Sequence, residues 1–247
     1  MNYRMVLQYD GSRYDGWQKQ GNTGNTIQGK LEAVLSRFAG ESVEVNGAGR
    51  TDAGVHAYGQ TASFHLKQEA EEEELWKYLN RYLPEDIEVL GVERAPERFH
   101  ARLSAVRKTY MYKVGLDSRK HVFDRKYLYH FEGELDIKAM EEAARYLRGT
   151  HDFKSFCSNR RFKKSTIRTL HMIKIDLDKK TDVMKIIFIG DGFLYHMVRI
   201  ITGTLLEVGQ GKRSPSEIKG IIEAKDREAA GFTAPPQGLT LVSVEYE

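Results

Sequence analysis

The segment Gly47-Ala-Gly-Arg-Thr-Asp-Ala-Gly-Val-His56 sets an arginine and a carboxylate, Arg50 and Asp52, between closely spaced glycines. Glycine opens backbone conformations closed to other residues and lets the backbone of a ligand approach closely. Two residues apart in an extended stretch, the two charged side chains point to the same side. A carboxylate in such a loop has the chemistry of a nucleophile or a general base. Dense polar loops are rarely needed for packing, yet spacing alone fits a tight turn closed by a local ion pair equally well. The loop lacks the Lys-Ser/Thr ending of a P-loop, and its glycines are not spaced as a dinucleotide fingerprint. The eight histidines are scattered without HxxxH or HxxEH spacing, so no metal is expected, and His56 reads as a hydrogen-bonding loop residue.

Two further stretches carry charge beside aromatic or apolar residues. In Phe99-His-Ala-Arg-Leu-Ser-Ala-Val-Arg-Lys-Thr-Tyr-Met-Tyr112, the cations Arg102, Arg107 and Lys108 precede a strand bearing Tyr110 and Tyr112. Cations beside an exposed aromatic neutralise phosphates and stack bases, the ingredients of single-stranded RNA binding. A strand with core tyrosines and surface charges is the commoner use of the same residues. Arg160, Arg161, Lys163, Lys164 and Arg168 form another basic run, which is either a solvated loop or part of the same polyanion surface. In Gly190-Asp-Gly-Phe-Leu-Tyr-His-Met-Val-Arg199, an arginine sits among apolar helix positions. A buried arginine calls for a carboxylate partner; Asp191 is the local candidate and Asp52 a distant one.

The elements that must hold these residues are legible from periodicity and punctuation. Tyr3 to Tyr9 reads as a strand ending at the Asp10-Gly11 turn. Thr26 caps a helix with Ile27, Leu31, Val34, Leu35 and Phe38 at helical spacing, stopped by Gly40. Gln60 to Leu66 reads as a strand, and Glu71 to Glu74 open a helix carrying Leu75, Tyr78 and Leu79. In the second half, Thr109 to Val114 is a strand. Asp136 caps a helix with Ile137, Met140, Ala144 and Leu147 inward, ended by Gly149. Met172 to Leu177 and Val183 to Ile189 are strands joined by the polar turn Asp178 to Asp182. Leu194 to Val208 is a helix closed by Gly209. Ser214-Pro-Ser-Glu217 is a capping box with proline at the first helical position, opening a helix with Ile218, Ile221 and Ile222. Leu239 to Tyr246 closes the chain as a strand. The halves repeat in outline, which predicts an α+β fold of two similar lobes, residues 1–105 and 106–247.

Composition narrows the partners and the setting. The chain has 247 residues, 40% hydrophobic and 30% charged, enough for one large or two modest domains. A net charge of +3 does not announce a nucleic-acid binder, so any basic surface must be local. The single cysteine, Cys157, cannot form an internal disulfide, and nothing around it activates a thiol. No signal-peptide run and no bilayer-length apolar segment is present, so the expected setting is the cytoplasm.

GRTDAGVHAYGQ at 49–60, FHARLSAVRKTYMY at 99–112 and GFLYHMVRIITGTLLEVG at 192–209, in this order, resemble the signature segments of the tRNA pseudouridine synthase A family. DGSRYDGWQKQ at 10–20, AKDREAAGFTAPPQGL at 224–239 and the closing strand fit it too, so the resemblance spans nearly the whole chain. Leu103 stands where the family often has phenylalanine. The resemblance implies two ferredoxin-like, RRM-like lobes around a central antiparallel or mixed sheet, with a positively charged cleft. It implies a homodimer on which one tRNA touches both subunits, and isomerisation of uridines 38, 39 and 40 of the anticodon arm. On the matching positions, Asp52 is the catalytic aspartate, Tyr110 the active-site tyrosine and Arg199 the arginine paired with the carboxylate. Arg50 is placed to hold the opened RNA backbone or to fill the gap, and Arg102 and Lys108 would bind phosphates. The reaction breaks a nitrogen–ribose bond and makes a carbon–ribose bond, with no redox change, so no cofactor or metal is expected. Two other functions are weighed: a nucleoside or glycosyl hydrolase working through Asp52, and a non-catalytic RNA-binding module. Glycosidases pair two carboxylates, and the loop of Asp52 offers no obvious second acid.

Overall fold

The alternation at the N-terminus makes a strand whose every second side chain is buried. In β1 (Asn2–Tyr9), Tyr3, Met5, Leu7 and Tyr9 lie in the core. The computed structural model describes residues 1–21, 23–116, 120–159 and 164–247. Helix α1 (Ile27–Ala39) begins where Thr26 Oγ1 accepts a hydrogen bond from Gly29 N at 3.1 Å. It ends at Gly40, whose φ of 69° a side chain would strain. Then follow β2 (Val45–Gly47), β3 (His56–His65), α2 (Glu72–Tyr82) and β4 (Ile87–Arg94). Strand β1 pairs antiparallel with both β3 and β4, and β2 pairs antiparallel with β3. The resulting order β4-β1-β3-β2, with a helix after the first and third strands, is the ferredoxin-like arrangement.

The second unit repeats it. Strand β5 (Ala105–Leu116) is followed by β6 (Tyr129–Phe131) and by α3 (Ile137–Leu147), capped by the Asp136 carboxylate on Ala139 N at 3.0 Å. Next come β7 (Gly149–Asp152), β8 (Ile167–Asp178), β9 (Val183–Gly190), α4 (Met197–Gly209) and α5 (Glu217–Ala224). Strand β9 lies antiparallel between β5 and β8, as β3 lies between β1 and β2, while β7 extends the far edge and β6 runs parallel to β5. The Asp178–Asp182 turn joins β8 to β9, with the Asp178 carboxylate accepting from Lys180 N and Thr181 Oγ1. Cys157 is a buried free thiol.

By compactness the chain divides into Met1–Val106 with Thr240–Glu247, and Arg107–Leu239. The closing strand β10 (Leu239–Tyr246) follows the second half in sequence. It lies parallel to the start of β3, at Thr240↔His56 and Leu241↔Ala57, and so groups with the first unit. No helix of the described residues is long and apolar enough to cross a membrane.

Strands β3, β5 and β8 begin earlier than expected, at His56, Ala105 and Ile167, and three helix boundaries differ, each for a local reason. Helix α4 starts at Met197, not Leu194, because His196 takes a left-handed conformation (φ 63°) and Met197 N turns back to Leu194 O at 3.0 Å. Gly209 does not close it but lies inside its last turn, Gln210 N still reaching Leu206 O at 3.0 Å. Before α5 only half of the capping box forms. Glu217 accepts from Ser214 N at 2.7 Å, but Ser214 Oγ turns to Ser216 Oγ, and the first bonds span three residues, so Pro215 stays in the preceding turn. Strands β2, β4, β6 and β7 go beyond the expected elements; three of them are four residues or shorter.

Two predictions follow from the packing. Replacing Thr26 by alanine removes a buried cap and should cost about 1 kcal/mol of stability, with Thr26→Ser retaining most of it; denaturant midpoints measure this. Burial holds the phenols of Tyr9 and Tyr112 well above the ordinary tyrosine value, and Tyr246 is pushed up to about 12. An unfolded chain ionises these groups near pH 10. Their contribution is therefore complete below about pH 10 and declines above it, by at most about 1.4 kcal/mol per pH unit for each phenol. Stability measured from about pH 9 to pH 12 should fall along that limb, and more shallowly in Tyr112→Phe.

Candidate active site

The loop between β2 and β3 is fixed from beneath by buried groups of the first unit. Trp17 N donates to Thr51 O at 3.0 Å, and the Tyr9 hydroxyl lies 2.8 Å from Thr51 Oγ1. Gln60, fully buried, donates through Nε2 to Gly49 O at 2.8 Å and also faces the Tyr9 hydroxyl. Desolvation raises the Tyr9 phenol, and the Thr51 hydrogen bond offsets part of that rise. The ring of Trp17 packs on Gly47, where any Cβ would collide with it. Gly16 passes under the loop at φ 91°, where a Cβ would lie 2.7 Å from Thr51 O and 3.1 Å from Ala53 N.

On this support Asp52 opens a four-residue turn, its carbonyl accepting from Val55 N at 3.1 Å with Gly54 at φ 78°. Asp52 is half-buried and Arg50 exposed. The far end of the loop is tied by His56, whose Nδ1 accepts from Gly11 N at 3.1 Å and lies 3.2 Å from the Asp10 carboxylate. An irregularity in the β1–β3 register follows directly: Leu7 pairs with Gln60 and Tyr9 with Ala57, so β3 carries one extra residue beside the loop. Such bulges re-aim side chains next to active sites. A carboxylate on a glycine-rich loop is thereby held at one place, partly screened from water.

Arg102 belongs to the same unit. It is exposed on a turn held by Ser104 N to His100 O and by Arg102 N to His100 Nδ1. The turn is anchored to the core through Asn2 Nδ2 to Phe99 O, Ala101 N to Ser63 Oγ, and the Tyr246 hydroxyl to Ala101 O.

The other expected site residues belong to the second unit. Lys108 is half-buried opposite Gly190, and Arg107 is exposed. The ring of Tyr110 is buried at 7% exposure, packed edge-to-face with Phe193 at 5.0 Å. Tyr112 is wholly buried, a core tyrosine as the plainer reading of that strand has it. Arg199 is half-buried, and its Nε donates to Ala234 O at 2.7 Å while Ala234 N returns a bond to Arg199 O. The Tyr112 hydroxyl donates to Pro235 O, and the charge of Arg199 opposes the upward push of burial on that phenol. Residues 230–238 thus form a strap along α4. Phe232 O meets Gly203 too closely for any Cβ, and Gly231 N donates to Thr204 Oγ1. Asp191, the local candidate partner for Arg199, is exposed and accepts from Thr169 N at 3.0 Å.

Arg50, Asp52 and Arg102 therefore stand in one unit, and Lys108, Tyr110 and Arg199 in the other. Of the basic run, Lys164 is exposed and Arg168 half-buried; Arg160, Arg161 and Lys163 lie outside the described residues. Sequence reasoning missed the supporting set: Tyr9, Trp17, Thr51 and Gln60 under the loop, and the strap over Arg199. The signal was present in DGW at 15–17 and TAPPQG at 233–238, where small residues adjoin groups able to hydrogen-bond.

The profile of the tRNA pseudouridine synthase family matches residues 5–103 and 143–247. The protein named tRNA pseudouridine synthase A from Bacillus sp. (strain KSM-64) is 47% identical over 245 residues, covering 99% of each chain. One named tRNA pseudouridine synthase A 2 from Clostridium tetani (strain Massachusetts / E88) is 44% identical over 246 residues, covering 99% of this chain and 98% of its own. Among solved structures, a chain of a Cbf5-Nop10-Gar1 complex gives a TM-score of 0.39 at 11% identity, over 97% of this chain and 48% of that one, too slight a likeness to define the fold. With the signature loop built and supported as described, and with relatives matched end to end, this chain belongs to the tRNA pseudouridine synthase family.

Proposed function

We propose that the chain isomerises uridine to pseudouridine in the anticodon arm of tRNA, at positions 38, 39 and 40, with Asp52 as the catalytic carboxylate. The observation that carries this reading is the loop at 47–56, which holds an aspartate half-buried on a buried hydrogen-bonded base within a chain of this family. The reaction breaks the N1–C1′ bond and forms C5–C1′. The C5 proton leaves and N1 takes one up, so the atoms balance without redox. An ionised carboxylate beside the sugar serves either as nucleophile on C1′ or as base toward a glycal route.

The remaining roles complete the proposal. Arg199, whose Nε is fixed on Ala234 O, is the guanidinium that serves the catalytic carboxylate in the working enzyme. Tyr110, positioned by its contact with Phe193, stacks on the extruded uracil. Extrusion costs a few kcal/mol, and Arg50, exposed on the same loop as Asp52, holds the opened RNA backbone. Arg102 and Lys108 take phosphates. The enzyme works in the cytoplasm as a homodimer, one tRNA touching both subunits.

The test is tritium release from tRNA labelled at C5 of uridine, with the modified sites mapped. Release with pseudouridine at 38–40 supports the reading; free uracil would mean a hydrolase, and neither product a binding module. Asp52→Asn should abolish turnover and leave tRNA affinity largely intact, since phosphate contacts carry most of the binding; normal turnover would remove Asp52 from its role. Gly16→Ala pushes a Cβ against Thr51 O and should lower kcat by about 100-fold through displacement of the loop. Steady-state kinetics check this, and an unchanged kcat would show that the loop does not depend on that contact.

A further inference from the structure

Just before α4 the backbone takes a step that residues with a Cβ avoid. His196 has φ 63° and ψ 4°, a conformation that persists only where the surroundings over-determine it. Here they do. Met197 N bonds Leu194 O at 3.0 Å, Ile200 N bonds His196 O at 2.9 Å, and Ser158 N bonds Tyr195 O at 3.2 Å. His196 Nδ1 and Ser158 Oγ lie 2.9 Å apart.

The consequence is an unusual pair of neighbours. Adjacent side chains diverge in a helix and point to opposite faces in a strand. After the left-handed step, the rings of Tyr195 and His196 lie stacked, 3.8 Å apart and 28° from parallel. Tyr195 is nonetheless 53% exposed, so it adds little to the core and turns its remaining surface to water. Phe193, two residues earlier, packs on Tyr110. Ser158, which braces His196, also lines a shallow cleft with Glu207, Arg227, Glu228 and Phe232. The exposed Tyr82 differs, its ring being attended by Arg37 and Arg81.

We propose that Tyr195, backed by His196, is a stacking platform for an unpaired base of the substrate RNA, a base near the target uridine rather than the target itself. The proposal rests on RNA being the substrate. A ring pre-stacked on one side and open on the other pays little ordering entropy when a base lies on it. Stacking is sequence-tolerant because every base has a π-face. The two-residue link to Phe193, and through it to Tyr110, puts the platform beside the proposed uracil site rather than on a remote surface.

The experiment compares the wild type with Tyr195→Ala, Tyr195→Leu, Tyr195→Phe and Tyr195→Trp. It measures affinity for an anticodon stem–loop RNA and for a fully paired duplex of equal length, kinetics on tRNA, and unfolding midpoints. Tyr195→Ala and Tyr195→Leu should weaken stem–loop binding by about five- to one-hundredfold, leave duplex binding within about twofold, and act on KM more than on kcat. Phenylalanine and tryptophan should hold near wild-type affinity. Stem–loop binding as tight as wild type in Tyr195→Leu, or an equal loss on duplex and stem–loop, would overturn the platform. A Tyr195-dependent stem–loop affinity in a wild-type protein that makes no pseudouridine would overturn the proposed reaction instead and leave the platform standing.

Discussion

Thr51 is held from two sides by buried residues: its carbonyl by Trp17 N, and its hydroxyl by Tyr9. Asp52 follows it in the chain, so its neighbour's bonds help to set where the carboxylate lies. The bonds of Thr51, the Tyr9 hydroxyl and Gln60 Nε2 matter because leaving such buried groups unpaired would be costly. Tyr9 sits at the end of β1 and Gln60 within β3, so the sheet itself is the ruler against which the loop is placed. The extra residue of β3 beside the loop belongs to the same design, because a regular ladder would not bring Gln60 to Gly49 O and Ala57 to Tyr9 together.

A second support of the same kind operates on α4. An arginine on a mostly apolar helix has a long flexible stem, and its guanidinium could settle in many places. The strap removes that freedom by taking Nε on Ala234 O and by returning Ala234 N to the carbonyl of Arg199. The strap in turn reaches α4 because Gly203 has no Cβ to keep Phe232 O away. Both supports use backbone carbonyls and amides, so they depend on where the chain runs more than on which charged residues it carries.

The two units reach one topology from unrelated local signals. Thr26 caps α1 and Asp136 caps α3, by hydroxyl in one case and carboxylate in the other. Strand β3 lies between β1 and β2 as β9 lies between β5 and β8. The strand that follows α5, β10, is grouped with the first unit from Thr240 onward, where it runs parallel to β3.

The sequence by itself determined the elements whose signals are local. Alternation in Asn2–Tyr9 and Val183–Gly190, the caps Thr26 and Asp136, and the Asp178–Asp182 turn are each settled within a few residues. The signature GRTDAGVH also set its segment apart, because glycines around a charged pair have little use in a core. Tertiary structure decided the rest. Short pieces such as β2 and β7 exist only because longer strands offer them an edge. The start of α4 was set by the bracing of His196 through Ser158, 38 residues away, which no periodicity in 194–208 reveals. The burial of Tyr110 and Tyr112, and the support of Asp52 by Tyr9, Trp17 and Gln60, likewise depend on partners distant in the chain. Hydrogen bonds of that span carry no spacing rule, and only the folded chain brings their two ends together.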